Sequence, residues 1–423
     1  MVTVIENVKV KGKECNIVIE DGRIKSVGKR TRSGRGVTVI DARGLTALPG
    51  FIDMHVHLRE PGFEYKEDIG SGCAAAVRGG FTAVACMPNT RPVIDEPYLV
   101  KYILQRAKEV GKCRVYPIAA ITKGEKGEQL SEMKKLADAG AAAFSDDGVP
   151  VSDSRMMKNA LLYAATFDLT VIEHCEDKSL VDGGVVNEGA AANELGLPGI
   201  SNAAEDAEIA RNIVLSEVYG VPVHIAHVST RGGMQLIREA KKRGVKVTCE
   251  TCPHYIALTD AEIAGFNTAA KVNPPLRSEE DRLAVIEAIA DGTVDCIVTD
   301  HAPHSKEDKD GGMYDAPNGI SGLETSYAVC YTTLVKSGVI SAERLSELMT
   351  FNPARLLKVE CGDLKKGALA DITLVDNDAE WVVEPEKFAS KGKNTPFAGR
   401  RVKGRVEYTL VGGRIVYARK EEI

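Results

Sequence analysis

The pattern that organises this chain begins at residues 50–59, which read Gly-Phe-Ile-Asp-Met-His-Val-His-Leu-Arg. In an extended strand successive side chains point to opposite faces, so His55 and His57 share a face and can converge on one metal ion. Arg59 keeps the same parity if the chain stays extended, which would bring its guanidinium near the metal and offer it to an anionic substrate group. An isolated His-Val-His is equally compatible with a polar strand face that binds no metal. The rest of the chain decides between a metal site and such a face.

Eight apolar runs alternate with segments of helical periodicity, which is typical of parallel strands buried on both faces. The predicted strands span 50–57, 81–87, 113–120, 141–147, 169–174, 221–229, 245–252 and 294–300. The predicted helices include 96–110, 130–139, 155–165, 204–219, 233–243 and 279–290. A count of eight predicts an α/β fold with a closed (β/α)₈ barrel of the TIM type. A later helix at 341–356 is predicted to break in two at Asn352-Pro353.

Both ends of the chain have a different pattern, with short alternating segments joined by tight turns. Asp21-Gly22 and Gly412-Gly413 are hairpin signals. We therefore predict that residues 1–49 and 361–423 form one small β-sandwich-like domain. Residues 50–360 would form the metal-dependent barrel between them.

Composition excludes several classes of protein. The 423 residues are 44% hydrophobic and 27% charged, with a net charge of −6, which is ordinary for a folded globular chain without a basic tract for nucleic acid. No stretch approaches the apolar length of a membrane span, and Glu6 and Lys9 interrupt the first apolar run, so no signal peptide is expected. Ten scattered cysteines suit a reducing compartment, and we expect a cytoplasmic protein.

Polar residues recur where the predicted strands end, which is where barrels of this type carry their chemistry. These residues are His55, His57, Asn89, Asp146, Asp147, His174, His227, Asn273 and Asp300. Imidazoles and carboxylates suit zinc, and four histidines with two aspartates exceed the needs of one tetrahedral ion. We therefore predict two metal ions bridged by a carboxylate and a water. Strand parity leaves both Asp146 and Asp147 open as the bridge.

The chemistry expected of such a site is activation of water and polarisation of a carbonyl oxygen. Asp300 is the predicted proton shuttle, because it can both touch a metal and reach the attacking water. His224 has the opposite parity to His227 and is predicted to pack against a helix. His304 precedes a polar, glycine-containing stretch at 305–312 that predicts a mobile lid, and we expect His304 to contact the substrate.

The residues at these strand ends resemble a known family. His55-Val56-His57, Asp300 and the flanking β domain resemble the amidohydrolase superfamily. More narrowly, six segments resemble class I dihydroorotase: 57–62 (His-Leu-Arg-Glu-Pro-Gly), 87–90 (Met-Pro-Asn-Thr), 144–148 (Phe-Ser-Asp-Asp-Gly), 273–277 (Asn-Pro-Pro-Leu-Arg), 299–304 (Thr-Asp-His-Ala-Pro-His) and 322–325 (Gly-Leu-Glu-Thr).

The resemblance implies reversible cyclisation of N-carbamoyl-L-aspartate to L-dihydroorotate, a step of pyrimidine synthesis, with two Zn²⁺ ions per chain. It implies that one zinc is bound by His55 and His57 and the other by His174 and His227. It further implies that Asp147 bridges the two ions and that Asp300, on the first zinc, is the catalytic acid and base. The implied substrate contacts are Arg59, Asn89, Asn273, His304 and the backbone around Asn318 and Gly319.

Two other functions stay open from the sequence. One is an allantoinase or hydantoinase, and the other is a non-catalytic partner of aspartate carbamoyltransferase. Arg59 favours dihydroorotate, because a substrate carboxylate needs a cation that an uncharged hydantoin does not. A small-molecule substrate is expected, with neither nucleic acid nor membrane as a partner. A homo-oligomer and a complex with aspartate carbamoyltransferase are left open.

Overall fold

A computed structural model describes residues 2–32 and 34–419. It contains an eight-stranded parallel sheet in which neighbouring strands follow chain order. Barrel strands one to eight span Phe51–Val56, Phe81–Cys86, Arg114–Ala119, Ala143–Phe144, Thr170–Glu173, Val223–Ile225, Val247–Thr251 and Cys296–Ile297. Val56 pairs in parallel with His301, and the His57 backbone N–H donates to the His301 carbonyl at 2.8 Å. These contacts join strand one to the end of strand eight, so the predicted barrel is confirmed.

Helices surround the sheet. Their apolar residues recur with helical spacing and therefore form one apolar face, which packs against the sheet. The helix Arg231–Lys242, for example, buries Met234, Ile237 and Ala240 on one face. The α-helices span Ile69–Arg78, Pro97–Val110, Met133–Ala139, Ser154–Ala165, Lys178–Val181, Ala190–Leu195, Asn202–Tyr219, Arg231–Lys242, Pro253–Ala257, Glu279–Ala290, Lys306–Lys309, Gly312–Asp315, Ser326–Cys330, Ala342–Met349 and Phe351–Leu357. Short 3₁₀ turns occur at Lys123–Glu125, Asp260–Ile263, Thr268–Ala270 and Pro385–Lys387, and a π-helical turn at Tyr331–Val335. Within the part of the chain that the structure describes, none of these helices has the length and apolar character of a membrane span.

The helix predicted at 341–356 does divide in two, but not at Asn352-Pro353. The break lies at Thr350, whose φ of −136° and ψ of −73° are not helical. Pro353 instead occupies the first turn of the helix Phe351–Leu357, where a backbone N–H has no partner within the helix and a proline is tolerated. The predicted break point was therefore wrong by a few residues.

A second sheet is built from both ends of the chain. Its strands span Val2–Val10, Lys13–Glu20, Arg23–Gly28, Val37–Asp41, Thr46–Pro49, Ile372–Val382, Arg401–Val411 and Arg414–Ala418. The N-terminal and C-terminal strands meet where Thr46–Pro49 pairs antiparallel with Ile372–Val382. The predicted hairpin at Asp21-Gly22 is present, with φ of 50° and 80° at these two residues. The mixed sheet is consistent with the predicted domain from both termini.

The two sheets are joined by hydrogen bonds at Asp371. Its carbonyl accepts from the Gly50 N–H at 2.9 Å, immediately before barrel strand one. Its carboxylate accepts from two nitrogens of the Arg114 guanidinium at 3.1 and 3.2 Å. These bonds position the start of strand one, at whose far end the site histidines lie. The domain boundaries at 49/50 and 360/361 stay a prediction.

Candidate metal centre

Asp147 lies at the centre of four histidines that come from three barrel strands. Its Oδ1 is 3.3 Å from His55 Nε2, 3.5 Å from His227 Nε2 and 3.7 Å from His174 Nδ1, and its Oδ2 is 3.4 Å from His57 Nε2. All five side chains are buried. They fall into two groups able to hold a metal ion, one with His55 and His57 and one with His174 and His227, and both share Asp147.

Asp146 faces a different part of the molecule. Its carboxylate accepts from the backbone N–H of Ile121 at 2.7 Å and from the backbone N–H and hydroxyl of Thr122. It thereby holds the loop that follows barrel strand three. Of the two adjacent aspartates, only Asp147 is placed among the histidines.

Asp300 completes the group at the end of strand eight. Its Oδ1 is 3.1 Å from His57 Nε2 and 3.6 Å from His55 Nε2. Burial raises the pKa of Asp300, but the hydrogen bond with His57 and the charge of His55 outweigh burial and lower that pKa to about 2. Its φ of 47° lies in the left-handed region that non-glycine residues seldom adopt, which is common at functional sites.

The donor set fits a metal ion. His55 Nε2 and Asp147 Oδ1 are buried and have no hydrogen-bond partner among the residues that the structure describes. Buried polar atoms without partners are costly, and a cation held between imidazole nitrogen and carboxylate oxygen would satisfy both. A metal cofactor is therefore consistent with this cluster, whereas its identity and number stay predictions.

His55 is supported from behind by a buried chain of polar groups that sequence reasoning missed. Its Nδ1 is 2.6 Å from Glu250 Oε1, and Glu250 Oε2 is 3.1 Å from His224 Nε2. His224 Nδ1 in turn lies 2.8 Å from the Thr248 hydroxyl. A carboxylate on the outer nitrogen of a ligating histidine fixes the tautomer that presents Nε2 to the metal.

The contacts of His224 contradict the prediction that it packs against a helix. The prediction counted strand parity from His227, but strand six ends at Ile225 and His227 has a φ of 33°. Because the chain is no longer extended there, residues three apart need not face opposite sides. Both histidines consequently join the site, His227 beside Asp147 and His224 behind Glu250.

The other two strand-end histidines also have partners on their outer nitrogens. His57 Nδ1 is 2.9 Å from Asn89 Oδ1. His174 Nε2 lies 3.9 Å from Glu176 Oε2 and 3.5 Å from Asn273 Nδ2, and Asn273 Nδ2 donates to Glu176 Oε1 at 2.8 Å. Asn89 and Asn273, predicted to contact substrate, thus also orient groups of the predicted metal centre.

The guanidinium of Arg59 adjoins the cluster, where the charges of Asp300 and Asp147 act on it. The Arg59 Nε donates to the Pro303 carbonyl at 3.2 Å, and its NH2 group is 3.2 Å from His304 Nε2. Burial lowers the pKa of Arg59 to about 10, although the charges of Asp300 and Asp147 raise it. His304 Nε2 is 2.8 Å from the Asn318 carbonyl. Arg59 does not continue the strand as the parity argument assumed, since its φ is 60°, yet it still faces the site.

The stretch predicted as a lid, 305–312, contains the helix Lys306–Lys309 and ends where the helix Gly312–Asp315 begins. Lys309 Nζ donates to the carbonyls of Pro317 at 2.8 Å and Gly319 at 3.2 Å, which fastens the stretch to the backbone predicted to contact substrate. Gly319 has a φ of 149°, and a Cβ there would lie 2.5 Å from the Ala302 carbonyl oxygen, so a larger residue does not fit. Mobility of the lid stays a prediction.

Comparison with known proteins agrees with this geometry. Residues 218–417 match a family model described as "Amidohydrolase family", and residues 44–233 match one described as "Dihydro-orotase-like". The solved structure of L-hydantoinase from Arthrobacter aurescens superposes with a TM-score of 0.87 at 27% identity, covering 99% of this chain and 96% of that one. The dihydropyrimidinase from Brevibacillus agri, at 22% identity and a TM-score of 0.84, covers the same shares and shows the same fold. Fold and strand-end residues together define an amidohydrolase.

Curated relatives narrow this class. A dihydroorotase of Geobacter metallireducens is 53% identical over 404 residues, and one of Acetivibrio thermocellus is 54% identical over 405 residues. Each alignment covers 96% of this chain and 95% of the relative. The chain belongs to the dihydroorotase family.

Proposed function

We propose that this protein, a hydrolase of cyclic amides, interconverts L-dihydroorotate and N-carbamoyl-L-aspartate in pyrimidine synthesis with two bound zinc ions. The observation that carries the proposal is a partly buried guanidinium, Arg59, beside the Asp147 cluster of histidines. A substrate with both a carboxylate and a hydrolysable ring amide matches a site with both features. The family membership of the chain supports the same reaction.

The predicted ligands are His55, His57 and Asp300 for one ion and His174 and His227 for the other, with Asp147 shared. Zinc ions held there would lower the pKa of water and polarise the amide carbonyl. Proton transfer and substrate binding would be carried out by the surrounding side chains.

Asp300 would move the proton. In hydrolysis its carboxylate takes a proton from the attacking water and delivers it to the ring nitrogen that leaves, and in cyclisation the order is reversed. A carboxylate suits the role because it can accept and return a proton without leaving its place beside His57, 3.1 Å away.

Arg59, Asn89 and His304 would hold the substrate carboxylate, which places the ring amide over the cluster. Asn273 would offer its Oδ1 to a ring N–H, because its Nδ2 is already engaged by Glu176. The backbone of Asn318 and Gly319 would complete the contacts with the ring.

Turnover of dihydroorotate, allantoin and hydantoin by purified, zinc-loaded protein tests the function. We expect dihydroorotate to be the preferred substrate, and activity on allantoin alone would contradict the proposal. Metal content measured on the same sample tests the pair of ions. One zinc per chain with full activity would rule out the bridged pair while leaving the substrate assignment intact.

We further propose a cytoplasmic location, which the ten free cysteines support. We also propose that the protein forms a homo-oligomer and binds aspartate carbamoyltransferase. Size-exclusion chromatography with light scattering, with and without the transcarbamoylase, tests both. A monomer that does not shift on mixing would contradict them.

A further inference from the structure

Lys66 lies beside His304 and has no role in the chemistry described above. Its side chain is 14% exposed, and its ammonium lies 5.8 Å from the ring centroid of Phe63 and 5.5 Å from that of Tyr65. Its Nζ is 3.2 Å from His304 Nδ1 and 3.3 Å from an Asp308 carboxylate oxygen. It therefore contacts the outer nitrogen of a histidine predicted to hold substrate.

The neighbours of His304 decide which ring nitrogen carries its proton. An ammonium can only donate, so the contact with Lys66 requires a lone pair on Nδ1 and a hydrogen on Nε2. The carbonyl of Asn318, 2.8 Å from Nε2, requires the same hydrogen. The Arg59 NH2 group, 3.2 Å from Nε2, would favour the opposite tautomer, as would the Asp308 carboxylate, whose Oδ2 lies 3.9 Å from Nδ1 and is therefore beyond hydrogen-bond distance. Of the three contacts within hydrogen-bond distance, two, including the shortest, require the hydrogen on Nε2.

The tautomer has a consequence for Arg59. If Nε2 of His304 carries a hydrogen, it cannot accept from the guanidinium, and the Arg59 NH2 group keeps its hydrogens for another acceptor. Two donors, Arg59 NH2 and His304 Nε2–H, then lie 3.2 Å apart, and a substrate carboxylate would take the place of the Asn318 carbonyl as the acceptor of the Nε2 hydrogen. A carboxylate, which has two acceptor oxygens, suits such a pair.

We propose that Lys66 is a positioning residue for substrate recognition, which holds His304 in its Nε2–H tautomer and adds positive charge behind the carboxylate subsite. This inference rests on the proposed function, because it takes the carboxylate of dihydroorotate as the group that Arg59 and His304 bind. Lys66 does not touch the substrate in this proposal. Its influence passes through the imidazole ring.

The neutral state of His304 agrees with this arrangement. Burial and the charges of Arg59 and Lys66 lower the pKa of His304 to about 2, although the bond to the Asn318 carbonyl raises it. An imidazole that stays neutral must carry its single hydrogen on one nitrogen, so the choice of tautomer determines whether it can donate to substrate.

The variant Lys66→Met tests the role, with Lys66→Arg as the conservative variant and Lys101→Met, at an exposed position, as the matched control. For Lys66→Met we expect kcat/KM on dihydroorotate to fall about ten- to a hundredfold, mainly through KM, as expected for loss of a charge-assisted contact. The inhibition constant of dihydrouracil, the same ring without the carboxylate, should stay within about twofold. Lys66→Arg keeps the positive charge and should retain most of the wild-type kcat/KM, and Lys101→Met should behave as wild type.

Nitrogen-15 NMR of histidine-labelled protein supplies a readout that a merely structural role would not move. In wild type we expect His304 to show a protonated Nε2 and an unprotonated Nδ1, and in Lys66→Met a shift of Nδ1 toward partial protonation. Asp308→Asn keeps the contact of Lys66 with His304 and leaves an amide oxygen that can accept from Lys66, but it removes the negative charge that the lid places beside Lys66, and it should leave kcat/KM near wild type.

Several results would overturn the inference. A proton on Nδ1 in wild type, equal losses for dihydroorotate and dihydrouracil, or an equal defect in Asp308→Asn would each do so. Wild-type protein that does not turn over dihydroorotate would instead contradict the proposed function. The two failures are therefore distinguishable in one set of measurements.

Discussion

Glu250→Gln should weaken metal binding at His55 about tenfold while leaving the fold intact. Glu250 and His55 are both fully buried, and the 2.6 Å distance between Oε1 and Nδ1 is that of a charge-assisted hydrogen bond. Such a bond contributes about 1.5–3 kcal/mol and a neutral one about 0.5–1.5 kcal/mol. The midpoints of these ranges differ by about 1.25 kcal/mol, which corresponds to a factor of just under ten in the binding constant.

The substitution is mild in its other effects. A glutamine oxygen can still accept from His55, and its amide can donate to His224 once that ring moves its hydrogen to the nitrogen facing the Thr248 hydroxyl. The hydrogen-bond connections are thereby kept and only the charge is lost. Competition for zinc with a chromophoric chelator gives the affinity, and circular dichroism with thermal unfolding checks the fold.

The reasoning would be refuted by an unchanged zinc affinity in a folded Glu250→Gln protein, because the carboxylate would then have no influence through His55. Thr248→Val provides the matched control at the far end of the same chain of hydrogen bonds. It removes the hydroxyl that contacts His224 but keeps the Glu250 charge. We expect its zinc affinity to fall less than that of Glu250→Gln.

Three further outcomes follow from the site. Asp300→Ala should lower kcat on dihydroorotate by several orders of magnitude with an unchanged circular dichroism spectrum, and a rate within tenfold of wild type would argue against the proton shuttle. Arg59→Met, which removes a partly buried charged donor, should cost about 2–4 kcal/mol of substrate binding, seen as a loss of about 30- to 1,000-fold in kcat/KM on dihydroorotate with little change in the inhibition constant of dihydrouracil. In the folded protein the pKa of His304 is about 2, whereas the unfolded chain takes up this proton below about pH 6.5, so His304 contributes stability above pH 6.5 that is lost as the pH falls. At about pH 5 the free energy of unfolding should have fallen by about 2 kcal/mol on account of His304. Urea unfolding of the metal-free proteins measures this: between about pH 6.5 and 5 the unfolding free energy of wild type should fall more steeply than that of His304→Gln.

The barrel was predictable because eight buried runs alternating with helices admit few other arrangements, and the carboxyl ends of parallel strands must meet on one rim. This rule alone brings His55, His57, His174, His227 and Asp300 together, although they are far apart in the sequence. Their grouping around Asp147 agrees with the predicted two-metal arrangement, but the metal and substrate roles of individual residues stay predictions.

The directions of the side chains at the strand ends could not be predicted from the alternation of side chains along an extended strand. Asp146 and Asp147 follow a strand that ends at Phe144, and His227, Arg59 and Asp300 have positive φ. Parity holds only while the backbone is extended, so it fails at the strand ends where the site is built.

Glu250 was missed for a different reason, since it lies within a run that was interpreted only as an apolar strand. A signal was nevertheless present in the sequence. A carboxylate in a strand buried on both faces must have a partner, and a histidine on a neighbouring strand was available. Glu176 and Lys66 lie in loops, where no periodicity predicts the direction of a side chain.

The pairing of Thr46–Pro49 with Ile372–Val382 also constrains the order in which the protein can be assembled during synthesis. The ribosome makes the N-terminal strands first, yet their partners emerge only after the whole barrel has been translated. Until then the Thr46–Pro49 strand has an open edge, and exposed strand edges promote association between nascent chains. Premature termination before residue 372 would leave this edge permanently unpaired, so incomplete products of this gene should be prone to aggregation and degradation.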